Sequence, residues 1–290
     1  MDCNEDSILS GQFDPVSYKE EVKRLWSEKA ETYHEKYASK KIGPFKSLEE
    51  LFKAANLQKG DRVLDVATGT GIVASEAIKR VGDGGKVVGI DLSPGPLEIA
   101  KRTSGKIRNL QFLEMDAEEL KFPDGSFDVV LSEFALMFFP DSQKALREMR
   151  RVLVDHGRIV LSVHGSPENV PYFSVIMSTL MKYVPDIVPA GRPGPHRFGE
   201  LGLLRHEFET SGFKEIKVNA YTYPYNIGTF EEYWNDYMES AAASIRTKIE
   251  SLDAGLYAKI KEESRTKSEG FLKDGKIDFP WQVLVASARS

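Results

Sequence analysis

A chain of 290 residues, 41% hydrophobic and 29% charged, has the composition of a soluble globular protein and suffices for one large α/β domain. Its formal net charge of −5 excludes the basic footprint of a nucleic-acid partner. No run approaches the roughly 20 apolar residues of a membrane span, and the acidic start Met1–Asp6 lacks the basic and apolar regions of a signal peptide. The single cysteine, Cys3, can form no internal disulfide, so a reducing, cytoplasmic setting is expected.

Residues 16–40 place Val22, Leu25, Trp26, Ala30, Tyr33 and Tyr37 at helical spacing, which predicts an amphipathic helix. After the Gly43-Pro44 break, Ser47 and Glu50 have the spacing of a capping box for a second helix bearing Leu48, Leu51, Phe52 and Ala55. From Arg62 onward short apolar runs alternate with helical stretches: Val63–Val66, Val87–Asp91, Leu110–Met115, Phe127–Leu131 and Arg158–Val163. Runs apolar on both faces suit a parallel sheet covered on both sides. Asp141–Leu153 predicts a crossover helix with Ala145, Leu146, Met149 and Leu153 on one stripe. Beyond Gly165 the pattern predicts a helix over Val170–Tyr183 and a Pro/Gly-rich loop over Val188–His196. A helix over Leu201–Glu209, a strand over Lys214–Thr222, one polar helical segment from Phe230 to Leu272 and a last strand over Trp281–Ala286 follow. The expected fold is a doubly wound, Rossmann-like, mostly parallel α/β sheet with helical additions. Its expected divisions are an N-terminal helical cap (1–56), a ligand-binding α/β core (57–165) and a remainder (166–290). That remainder carries substrate-cap insertions over 166–200 and 229–275.

The first strand runs directly into Ala67-Thr68-Gly69-Thr70-Gly71, whose glycines let the backbone turn tightly and approach a ligand. Gly69-Thr70-Gly71-Ile72-Val73-Ala74 also fits the dinucleotide fingerprint, so the loop alone does not choose a ligand. The acidic residues do. Asp65, just before the loop, would repel a pyrophosphate and welcome an ammonium group. Asp91 ends the second strand about 20 residues past the loop, where a carboxylate accepts ribose hydroxyls. Asp116 follows the third strand and can accept from an adenine amino group, with Met115 and Leu92 covering the ring.

These residues resemble class I S-adenosylmethionine-dependent methyltransferases of the ubiquinone/menaquinone-biosynthesis branch. Val63–Gly71 is similar to that family's first motif, Gly89–Gly95 to its second and Asp116–Asp124 to its third. Phe127–Ser132 with Arg147–Leu153 is similar to its fourth strand and following helix, so the likeness covers about Leu57 to Gly165. Ala67 departs from it, since many members carry glycine there. The resemblance implies a seven-stranded sheet ending in an antiparallel hairpin, and S-adenosyl-L-methionine held by Asp65, Ala67, Thr68, Gly69, Gly71, Asp91, Leu92, Met115, Asp116, Ala117 and Ser132. It further implies that Tyr33 and Tyr37 lid the cofactor and that Phe134, Leu136 and Phe139 line the acceptor pocket.

The resulting expectation is an enzyme that methylates a small molecule on O, N or C by in-line transfer, with no nucleic acid as partner. Such chemistry asks mainly for alignment and exclusion of water, and for a base only if the acceptor must lose a proton. His164, at the end of the fifth strand, is the candidate base, and His196 in the Pro/Gly loop is a candidate acceptor contact. No His/Cys/Asp cluster has metal-ligand spacing. The alternatives are an NAD(P)-dependent oxidoreductase, which Asp65 argues against, and a catalytically silent cofactor-binding subunit.

Overall fold

Side-chain alternation along the strands sends successive apolar residues to opposite faces, and the two faces carry separate cores. In a computed structural model of the protein, which describes residues 13–40 and 42–290, the central strands are β1 (Arg62–Val66), β2 (Lys86–Asp91) and β3 (Leu110–Glu114) with β4 (Phe127–Glu133) and β5 (Leu153–His164). These five pair in parallel. On β1, Val63 joins the core of one face and Leu64 that of the other; on β4, Val129 and Val130 divide likewise.

The sheet continues through β8 (Lys276–Arg289) and β6 (Lys214–Gly228), both antiparallel, in the order β3-β2-β1-β4-β5-β8-β6. The two-residue β7 (Leu272–Lys273) pairs with β8 as an eighth strand. The order reverses between β1 and β4, which opens a crevice at their C-terminal ends, where ligands of open α/β sheets bind.

One face is covered by α2 (Leu48–Ala55) and α3 (Ile72–Val81), with α4 (Pro94–Ser104) packing beside β2 and β3. The other is covered by α5 (Ser142–Val152) and α7 (Leu201–Thr210). The expected N-terminal cap is therefore only partly a cap. Leu51 and Phe52 of α2 are buried against the sheet, each contributing about 1.5–3 kcal/mol of apolar burial. α1 (Pro15–Lys36) does cross the strand ends, touching the glycine loop through His34. The capping box also differs from expectation. Ser47 is already helical and its hydroxyl donates to the Pro44 carbonyl at 2.6 Å, so it makes no cap bond.

Two further differences lie beyond Gly165. The strand that begins at Lys214 continues to Gly228, because Pro224 pairs opposite Pro280 and neither proline breaks the ribbon from an edge. The polar segment expected as one helix is three: α8 (Phe230–Glu239), α9 (Arg246–Glu250) and α10 (Ala254–Ser268). Each longer one starts on its own cap, Thr229 with Glu232 for α8 and Asp253 for α10. Among the described residues no helix is long and apolar enough to cross a membrane. Cys3 lies outside the described residues.

One buried carboxylate ties the cap together. Asp236 of α8 is 3% exposed and accepts from the Tyr172 hydroxyl of α6 (Pro171–Tyr183) at 2.6 Å and from the Tyr37 hydroxyl after α1. Lys36 of α1 completes the set at 2.6 Å. Replacing Asp236 by Ala removes the carboxylate acceptor of both hydroxyls and leaves Tyr172 only its 2.8 Å contact with the Ser240 hydroxyl, and each buried hydrogen bond lost costs about 1–3 kcal/mol. Urea unfolding is expected to show Asp236→Ala destabilised by about 2–4 kcal/mol; an unchanged midpoint would refute this linchpin role.

Candidate active site

The loops after β1, β2 and β3 are knitted edge to edge by their own backbones. The Thr68 amide donates to the Ile90 carbonyl at 2.8 Å, and the Met115 amide to the Asp91 carbonyl at 2.9 Å. The Asp91 carboxylate then clamps the glycine loop: one oxygen accepts from the Gly69 amide and the other from the Ser93 amide, both at 2.9 Å. Burial raises the pKa of Asp91, and these amides pull against that rise. The Ser93 hydroxyl and the Leu92 amide pull in the same direction.

Asp65, 1% exposed, accepts from the Thr68 hydroxyl at 2.5 Å, while its Oδ1 has no partner among the described residues. Desolvation pushes its pKa up to about 7, against the bonds from Thr68 and the Ala74 amide. The two loop glycines do different work. A Cβ on Gly69 (φ +55°) would meet nothing within 4 Å, so this side of the loop is open. A Cβ on Gly71 (φ +80°) would lie 2.8 Å from the Ala100 Cβ, so Gly71 serves helix packing. Ala67, with φ of 56°, holds a left-handed conformation that favours glycine.

The third acid is placed differently from expectation. Asp116 Oδ2 is ion-paired at 2.7 Å with Lys19 of α1, which also reaches Glu118 at 2.7 Å, and Oδ1 accepts from the Glu118 amide at 2.9 Å. Burial works against the Lys19 charge, but the two carboxylates outweigh it and hold its pKa above the usual lysine range. Asp116 thus ties α1 to the end of β3. Nearby, Leu92 is half-buried, Met115 Sδ accepts from the Lys121 amide, and Ala117 is buried in the core.

Helix α1 lies across this edge. His34 Nδ1 is 2.9 Å from the Thr70 hydroxyl of the glycine loop, although helical periodicity alone marks His34 as a surface residue. The Gly95 amide donates to the Ser27 hydroxyl at 3.4 Å. Burial, then the charges of Glu133 and Asp91, raise the pKa of the Tyr33 phenol, which sets Tyr33 beside the acids. Tyr37 is not a second lid residue. Its hydroxyl is committed to Asp236 of α8.

Beyond the acids, the C-terminal ends of β4 and β5 open onto a wall of rings. Phe134 (φ 53°) stacks on His164 at 4.6 Å and meets Phe45 edge-on at 5.9 Å. His164 also packs against Phe173 and Trp281, at 5.1 and 5.4 Å. Ser132 is buried beneath, with its hydroxyl unpartnered among the described residues. Leu136 does not line this wall. It is fully buried in the core under the opposite face of the sheet, and Phe139 packs against that same core.

The candidate base also needs correction. His164 Nδ1 accepts from the Trp281 indole N–H at 3.1 Å, which leaves the proton on Nε2. Burial, with a smaller contribution from His196, pushes its pKa down to about 3, so it is a structural acceptor and a poor base. His196, by contrast, sits with Nδ1 2.8 Å from the Gly165 carbonyl and Nε2 buried without a partner among the described residues. Among the described residues no cluster could hold a metal.

A model of the methyltransferase domain matches residues 64–161, the stretch that builds the three acids and the strand ends. The demethylmenaquinone methyltransferase of Staphylococcus epidermidis is 34% identical over 185 residues, 60% of this chain and 76% of that relative. The chain belongs to the class I S-adenosylmethionine-dependent methyltransferases, in their menaquinone/ubiquinone-like branch. Class I methyltransferases of this branch are enzymes that move a methyl group from S-adenosyl-L-methionine to a small molecule. Neither the oxidoreductase nor the silent-subunit alternative finds support.

Solved structures share the fold. The YcgJ protein of Bacillus subtilis aligns with TM-score 0.58 at 22% identity, over 84% of this chain and 97% of that one. A Haemonchus contortus phosphoethanolamine N-methyltransferase in complex with S-adenosyl-L-methionine aligns with TM-score 0.52 at 19% identity, over 84% of this chain and 52% of that one.

The methyltransferase loop carries strain at one position. A left-handed alanine costs about 1–2 kcal/mol, against the 0.5–1 kcal/mol that glycine loses in entropy. Ala67→Gly is expected to raise stability by about 0.5–1 kcal/mol in thermal unfolding; a lowered midpoint would contradict the strain assigned to Ala67.

Proposed function

We propose that this methyltransferase alkylates a hydroxylated aromatic small molecule, a phenol or quinol, held against the rings at the ends of β4 and β5. The carrying observation is the wall itself: Phe45, Phe134, His164, Phe173 and Trp281 offer π faces and edges to a planar acceptor beside the acid cluster. The quinone named for the Staphylococcus epidermidis relative supports the same class. We assign the reaction to a reducing cytoplasm, as the composition favours.

The residues fit the methyl donor. Asp65 presents a buried, unpartnered carboxylate oxygen to an ammonium group, and Gly69 leaves open space above the loop. Asp91, at the end of β2 beside the glycine loop, is the acceptor assigned to the ribose hydroxyls, while Leu92, Met115 and Ala117 are assigned to the adenine side. The Asp116–Lys19 pair closes that side against α1. Ser132 and Tyr33 complete the walls next to the acceptor. When bound, S-adenosyl-L-methionine supplies an already activated methyl on a sulfonium. What the chain adds is in-line alignment and exclusion of water, for which α1 and the ring wall serve.

Two measurements test the donor side. An ammonium partner favours ionised Asp65, so binding of S-adenosylhomocysteine is expected to release a proton and to tighten as pH rises through about 7. Calorimetry in buffers of different ionisation enthalpy reads that proton, and Asp65→Asn should abolish it; release by the variant as well would refute the assignment. Asp91→Ala should weaken S-adenosylhomocysteine at least about tenfold, since hydrogen bonds to a charged group are worth about 1.5–3 kcal/mol. Wild-type affinity in a folded variant would sink the ribose role. For the acceptor, release of S-adenosylhomocysteine is measured across phenols, quinols, amines and carboxylates; turnover confined to amines or carboxylates would overturn the aromatic-hydroxyl reading.

A further inference from the structure

Two histidines flank the ring wall, and their hydrogen bonds give them opposite chemistry. A backbone carbonyl carries no proton, so in the His196–Gly165 contact at 2.8 Å the imidazole Nδ1 must donate. Neutral imidazole has one N–H, which leaves Nε2 of His196 as a bare lone pair. That atom is buried and has no donor among the described residues. Buried polar atoms without partners are rare and call for an explanation. The residue is also held firmly. Gly199 packs so closely on Gly165 that a Cβ there would lie 2.6 Å from the Gly165 carbonyl carbon, and the Gly199 amide donates to the His196 carbonyl at 3.0 Å. The Gly165 amide in turn donates to Gln282 of β8 at 2.9 Å. The His196 ring meets Phe173 edge-on at 5.7 Å, and Phe173 meets both His164 and Trp281 at 5.1 Å.

We propose that His196 is the general base of the methyl transfer, accepting the acceptor's hydroxyl proton on Nε2. This rests on the hydroxylated-aromatic reading above. As the acceptor's O–H bond breaks, its proton passes to Nε2, giving an imidazolium whose Nδ1–H stays on Gly165. The freed electron pair, on the oxygen or relayed to the adjacent ring carbon, forms the new bond to the methyl carbon. The carbon–sulfur bond breaks with its pair going to sulfur, leaving the neutral thioether. On oxygen, the proton released to solvent from His196 then balances the charge of the sulfonium. On carbon, loss of the ring proton restores the hydroxyl, again with one net proton released.

The titratable groups facing His196 are Glu168, whose charge raises its pKa, and neutral His164. Burial is the largest influence and lowers it below the ordinary value of 6.5. His196 is therefore uncharged at neutral pH and becomes protonated only in acid, so the rate should fall on the acid side.

Asparagine can keep a side-chain N–H on Gly165 while lacking a basic nitrogen, so His196→Asn separates a structural role from a chemical one. In the wild-type protein, long-range proton–nitrogen NMR of the imidazole should show Nε2 as the unprotonated nitrogen; a proton on Nε2 overturns the proposal. With S-adenosylhomocysteine bound, 4-nitrophenol should bind more fully ionised to wild type than to His196→Asn, read from its phenolate absorbance. Equal ionised fractions overturn the base role alone. Failure of 4-nitrophenol to bind either protein overturns the phenolic reading and this inference with it. With an accepted substrate, His196→Asn should lose about 10²–10⁴-fold in kcat together with the acid limb of the pH profile, and retain wild-type affinity for S-adenosylhomocysteine. A wild-type rate with the acid limb intact would refute it.

Discussion

Everything at this site depends on keeping carboxylates buried at the ends of parallel strands. Asp91 holds the glycine loop by accepting its Gly69 amide, so a residue on the next strand helps shape the loop alongside its own glycines. Asp65 lies deeper, with one oxygen satisfied and one waiting. Desolvation makes its charge unfavourable until a cation arrives, which couples the protonation of the free protein to donor binding. The same low dielectric strengthens any ammonium–carboxylate contact once the edge is closed.

Closure is the work of α1 and the additions after Gly165, and it too uses buried polar groups. Lys19 fastens the start of α1 to Asp116 and Glu118, and a bidentate pair between Glu21 and Arg192, with both contacts at 2.8 Å, fastens it to the Pro/Gly loop. Tyr37 and Lys36 fasten its end to Asp236. These bonds are concentrated in one helix, α1. The ring wall on the far side is held by apolar packing and by the Trp281–His164 bond.

Much of this was legible in the residues. The alternation of apolar runs and helical stripes located four of the parallel strands closely and the core of the fifth, which begins earlier, at Leu153, and the three acids ending successive strands separated one cofactor from another. The misreadings have physical causes. Leu136 and Phe139 follow the fourth strand as Phe134 does, but the chain turns into a short helical turn there and drives them into the opposite core. Ser47 and Glu50 have capping-box spacing, yet the preceding turn already consumes the serine hydroxyl. The helical composition of 230–272 hid two breaks because the one before α9 has no side-chain cap and the one before α10 is marked by Asp253 alone among many polar residues.

The sequence by itself determined the sheet, the order of its acids and the cofactor, because these follow from local periodicity and from residues adjacent along the chain. Only the tertiary structure decided the roles of the histidines, Lys19, Tyr37 and Asp236. Their partners lie far away in sequence, Trp281 for His164 and Asp116 for Lys19 among them. Which nitrogen of an imidazole keeps its lone pair is set by those partners, and no spacing along a chain encodes it.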